Sequence, residues 1–117
     1  MKPTLILSLA AALVLSACTM TATLTPVSGP LAGRPDIIVK VTDAAGQSGK
    51  LSFTMPSGEH VTGKYTTIPG QPVQGVATAH GDRGSVFDMQ FTTNLFGKGF
   101  GEATDNHGNK YRLIIAG

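Results

Sequence analysis

From residue 37 onward, apolar and polar residues alternate in short runs, and each run stops at a cluster of Gly, Pro, Asn or Asp. A period of two sends successive side chains to opposite faces of an extended strand, so each run has one face for a core and one for solvent. Ile37, Val39 and Val41 form one such face; Leu51, Phe53 and Met55 form another. Further runs fall at 59–67, 73–80, 85–93, 97–104 and 109–115, separated by PSG, IPGQP, HGDRG, TNLFG and DNHGN. Turn signals at a spacing of about 8 to 12 residues predict an all-β domain, a small antiparallel meander forming a sandwich or barrel of about six to seven strands. No stretch carries the 3.6-residue period of an amphipathic helix.

The densest alternation sets Phe87, Met89 and Phe91 against Asp88, Gln90 and Thr92. The first set is expected in the core, facing Leu113 and Ile115 of the last strand, with Tyr111 at its margin. Gly97, Gly99 and Gly101 share one strand face, leaving a bare lane over which an aromatic ring or another backbone can lie closely. An interior packing role follows. The segment is not GxGxxG and has no Lys-Ser or Lys-Thr pair, so it does not read as a phosphate loop.

The start of the chain has a different character. Lys2 precedes an apolar stretch at 5–15 and the small residues Ser16 and Ala17, the layout of a secretory signal peptide. About 11 residues are too few to span a bilayer that needs about 20. The single cysteine, Cys18, follows at once, and a lone cysteine excludes an intramolecular disulfide. Out of context it is a free thiol or half of an intermolecular disulfide.

In context, Leu15, Ser16, Ala17 and Cys18 resemble the lipobox of bacterial lipoproteins at all four positions. The resemblance implies that the Cys18 sulfur takes a diacylglycerol, that the chain is cut before Cys18, and that two or three acyl chains then hold it stably on a membrane. Thr19 stands where enteric-type members retained at the inner membrane carry Asp, which favours the outer membrane. LSFTMPSGEHVTGKY and GFGEATDNHGNKYRL repeat a theme of strand, Gly-containing turn and aromatic strand, broadly similar to small proteobacterial lipoproteins. These readings divide the chain into a lipoprotein signal peptide at 1–17, a lipidated Cys and flexible tether at 18–35, and a small all-β domain at 36–117. The tether is read from the three prolines in 19–35, with a reach on the order of 20–25 Å.

Charge argues against one class of partner. Nine Lys and Arg stand against seven Asp and Glu, eight against seven once Lys2 is removed, so a basic stripe for nucleic-acid phosphates is not expected. His60, His80 and His107 lack ligand spacing, so no metal site or cofactor is nominated. Asp105, Asn106, His107, Gly108 and Asn109 read as an Asx-type turn rather than a calcium loop. Ser48, Ser52, Ser57 and Ser85 sit in no nucleophile elbow, and Glu59, Asp82, Asp88, Glu102 and Asp105 are expected at the solvated surface, so no catalytic residue is assigned. The expectation is a lipid-anchored envelope protein with a non-catalytic binding or structural module, its membrane contact through the acyl chains on Cys18 and its protein partner or ligand unnamed. The alternative is a small β-barrel enzyme inhibitor or apolar-ligand carrier, and an enzyme stands third. An apolar cavity favours the carrier, an exposed aromatic patch favours protein binding, and converging His and carboxylates favour the enzyme.

Overall fold

A computed structural model describes residues 19–42, 48–70, 72–94 and 97–116. Residues 1–17, expected as a signal peptide, and Cys18, expected as the lipidated residue, lie outside the described residues. The strands are β1 (Thr19–Ser28), β2 (Ile37–Thr42), β3 (Ser48–Thr54), β4 (His60–Ile68), β5 (Val73–Gly81), β6 (Val86–Thr93), β7 (Gly99–Asp105) and β8 (Lys110–Ile115). Each pairs antiparallel with the next, and β1 pairs with β8, closing an eight-stranded barrel.

The seven runs of alternation correspond to β2 through β8. The eighth strand is the correction: Thr19–Ser28, expected as tether, is β1. It pairs with β2 from Thr19↔Thr42 to Leu24↔Ile37 and with β8 from Ala22↔Ile115 onward. The reason lies in its composition. Ala22, Leu24 and Pro26 are buried and Met20 is half-buried, while Thr21, Thr23 and Thr25 alternate with them, so the period is two but its contrast is weak. Thr is nevertheless a good strand residue, because its branched Cβ suits the pleated surface. Pro26 lacks an N–H; it sits beyond the last pair with β2, beside an irregularity in the β8 register.

Following the register around the barrel, alternate strands supply four residues at a time to a layer, as strand tilt in an eight-stranded barrel requires. Ile37, Val61, Phe87 and Tyr111 make one layer, and Leu24, Phe53, Ala79 and Ala103 the next. Large side chains thus meet small ones across the interior. Phe53 packs edge-on against Phe87 at 5.1 Å between centroids, and Tyr111 lies 5.6 Å from Phe87. Such ring pairs contribute about 0.5–1.5 kcal/mol beyond their area. Tyr111 is fully buried rather than marginal, because its hydroxyl finds a carboxylate partner described below.

Toward the end where β1 begins, Tyr65 and Phe91 pack edge to face at 6.3 Å. A Cβ on Gly49 would lie 2.6 Å from Cε2 of Tyr65, and one on Gly75 would collide with the Phe91 ring. Gly99 and Gly101 share the inward face with buried Ala103, as the lane predicted. What closes on them is β6: a Cβ on Gly101 would lie 2.8 Å from Cβ of Phe91, and one on Gly99 would strike the carbonyl oxygen of Thr92. Gly97 instead occupies the β6–β7 turn, with φ of 79°.

Gly99→Val should therefore lower stability by about 1–3 kcal/mol, the cost of overpacking against backbone that cannot rotate away, whereas Lys98→Val should leave the urea midpoint nearly unchanged. Equal small shifts for the two variants would show that the glycine face is not packed.

Candidate functional site

The two ends of the barrel differ in chemistry. At the end where β1 finishes, three hairpins use one turn: Met55 N donates to Glu59 O at 2.8 Å, Gly81 N to Ser85 O at 2.8 Å, and Asp105 N to Asn109 O at 3.1 Å. Each has a glycine at its fourth position, Gly58, Gly84 or Gly108, with φ of 92°, 95° and 85°. That is a three-residue loop whose last member takes the left-handed conformation glycine favours. The residue after each glycine turns inward. Glu59, Ser85 and Asn109 are 5%, 2% and 3% exposed, and they are the buried polar residues of the described structure.

These three side chains cap the core. The Glu59 carboxylate accepts Ser85 Oγ at 2.5 Å, Arg83 N at 2.9 Å and Ser85 N at 3.0 Å. His107 Nε2 meets Ser85 Oγ at 3.2 Å, bringing the third turn to the second. Asp105 accepts the His107 and Asn109 backbone N–H groups at 2.9 and 3.0 Å, which is the expected Asx turn, and also the Tyr111 hydroxyl at 2.7 Å. Asn109 Oδ1 accepts the Leu31 N–H at 2.7 Å, tying in the β1–β2 connection. Among the described residues no buried side-chain polar atom lacks a partner.

Electrostatics follow from those bonds. The Ser85 hydroxyl, then backbone N–H groups and the His107 ring, hold Glu59 below its ordinary 4.5 against the opposing effect of burial. Burial alone would raise Asp105, but hydrogen bonds from Tyr111, Asn109 and the turn backbone outweigh it and hold the carboxyl below its ordinary 3.8. Burial and the Asp105 carboxylate push the Tyr111 phenol well above its normal range. The expectation of a solvated surface holds for Asp82, Asp88 and Glu102, which are exposed; it fails for Glu59 and for half-buried Asp105.

Glu59, Ser85 and His107 are the residue types of a hydrolase triad, but their order is wrong for one. In a nucleophilic triad the acid orients the histidine and the histidine takes the serine proton. Here the serine lies between the other two and its proton points at the carboxylate, in a site closed to substrate. The arrangement locks turns. His60 and His80 sit elsewhere, on β4 and β5, and no group of three potential metal ligands converges among the described residues.

The opposite end holds an apolar cavity of about 130 Å³ lined by Met20, Val41, Leu51, Tyr65, Phe91 and Ile115, among others. Comparison with known proteins gives no match to any family model, any curated protein or any solved structure.

Because Glu59 and Asp105 have depressed pKa values in the folded state, their contribution to stability is full above the ordinary carboxylate pKa and is lost as pH falls through the folded values. Glu59→Gln should cost about 1–3 kcal/mol at neutral pH, the range for a buried hydrogen-bonding group whose partners are broken. The gap from wild type, followed by urea unfolding, should close in acid once Glu59 itself is protonated. A gap that stays constant into strong acid would show that the Glu59 charge contributes nothing.

Proposed function

We propose that the chain is a lipid-anchored protein of the cell envelope whose barrel serves as a non-catalytic binding or structural module, held through acyl chains on Cys18. The observation that carries this reading is the complete run Leu15, Ser16, Ala17 and Cys18 placed directly after a secretory apolar stretch. The fold is compatible with it: β1 begins at Thr19, so cleavage before Cys18 leaves every described strand in place. Thr19, in the position where Asp directs inner-membrane retention in the family it resembles, favours the outer membrane. The non-catalytic part draws support from the capping cluster, whose one buried serine is committed to a carboxylate.

The apolar cavity favours a second reading, a carrier of an apolar ligand. Its size limits the cargo. An apolar cavity of about 150 Å³ accepts a single benzene ring, so about 130 Å³ takes one ring or the last few carbons of a chain, not a whole lipid.

Cys18→Ala should abolish incorporation of labelled palmitate and leave the precursor unprocessed by the lipoprotein route, while the wild type takes up label and shortens. A wild-type protein without label would contradict the anchor. For the carrier, benzene should raise the melting temperature of the wild type saturably and not that of Ala77→Phe, which fills the cavity; no rise in either removes that reading.

A further inference from the structure

The outer wall of the barrel is divided along its axis. In an antiparallel meander the starts of β1, β3, β5 and β7 lie at one end with the ends of β2, β4, β6 and β8, and strand tilt keeps these segments in one half of the barrel. On that half the outward apolar residues are Ile68, Val76, Phe100 and Ile114, exposed by 61%, 53%, 66% and 42%. Phe100 and Ile114 are direct cross-strand partners, an apolar pair facing solvent. Lys40, Lys50, Lys64 and Lys98 are also exposed there. Lys50 stands directly opposite Lys64, a like-charge pair that weakens a sheet unless something anionic lies over it.

The other half carries the described carboxylates. Asp36, Glu59, Asp82 and Asp105 lie at or beside the capped turns, while Asp88 and Glu102 lie on the strands just above them, with Arg34, Arg83, Lys110 and Arg112 as counterions. Asp43 is outside the described residues. Exposed Ile38 and Val27 also lie on this half, so a chain that is near neutral as a whole is polarised along the barrel in charge, with four of the six described exposed large apolar residues at the β1-start end.

Resting on the anchor reading above, we propose that the β1-start rim is a membrane-contact face, on which Phe100, Ile114, Val76 and Ile68 enter the lipid interface and the four lysines meet anionic headgroups. The position of Cys18 selects this occupant. Thr19 is already paired to Thr42 in β1, so acyl chains on Cys18 are one residue from the rim and no slack separates the barrel from the bilayer. An apolar surface held in that way reaches about 5–10 Å into the boundary between headgroups and acyl chains, and lysines near an anionic leaflet add attraction that salt screens.

The chain has no tryptophan, so single reporters are clean. The full chain is produced with its leader, purified in detergent and reconstituted into phosphatidylethanolamine and phosphatidylglycerol vesicles containing acyl-brominated lipid, as Phe100→Trp and as Val27→Trp. Val27 is exposed near the capped end. Fluorescence of Phe100→Trp should be quenched at least about threefold more strongly than that of Val27→Trp, given the insertion depth above. Equal quenching of the two, or none at Phe100→Trp in protein that is acylated by mass and floats with the vesicles, overturns the contact face and leaves the anchor standing. Protein without acyl mass overturns the anchor; selective quenching of Phe100→Trp in such protein still upholds the face, and its absence removes both.

Discussion

The pairing of β1 with two strands at once is the interaction on which the rest depends. Without it β2 and β8 would each present an unpaired edge, open to association with other chains, and the layers built on Leu24 and Ala22 would lose one wall. Closure also fixes the interior. Residues that face inward from eight tilted strands must fill a space of set diameter, and the chain fills it with Phe53, Phe87 and Tyr111 against Ala79 and Ala103 in two adjacent layers and with aromatic rings over glycines toward the other end.

The ends of the barrel are finished in opposite ways. One is closed by three copies of the same turn, each placing a polar side chain beneath it, so the chain forms a hydrogen-bonded lid without a disulfide. Such a network stabilises only when fully satisfied, since a buried polar group left unpaired costs more than a paired one contributes. The other end is finished with apolar and small residues around a cavity, and its outer wall is apolar and basic. β1 begins at that end, so the end with the apolar and basic outer wall is also where the described chain starts.

Much of the architecture was legible because alternation of strong hydrophobes survives in a short chain: Phe87, Met89 and Leu113 are core, as their parity requires. β1 escaped because Thr, Ala and Pro give little contrast, although Met20, Ala22, Leu24 and Pro26 do keep the period. The cap escaped for a different reason. Glu59, Ser85 and Asn109 share parity with Val61, Phe87 and Tyr111, so alternation itself points them inward, whereas polar character alone assigns Glu59 to the solvated surface. The available signal was that shared parity, one step of the alternation before each strand's first core residue. Tyr111 shares parity with Leu113, and Asp105 supplies the partner that lets its hydroxyl be buried.

Backbone hydrogen exchange along 20–26 of the full chain tests closure most directly. Amides that are hydrogen-bonded in an integral barrel strand exchange only through opening of the sheet. The structure predicts that Ala22, Thr23 and Leu24 open with a free energy comparable to that of Val61 and Tyr65 in β4. Exchange of those three at the rate of a free peptide, with β4 still protected, would show that the segment is a tether and that the barrel is not closed.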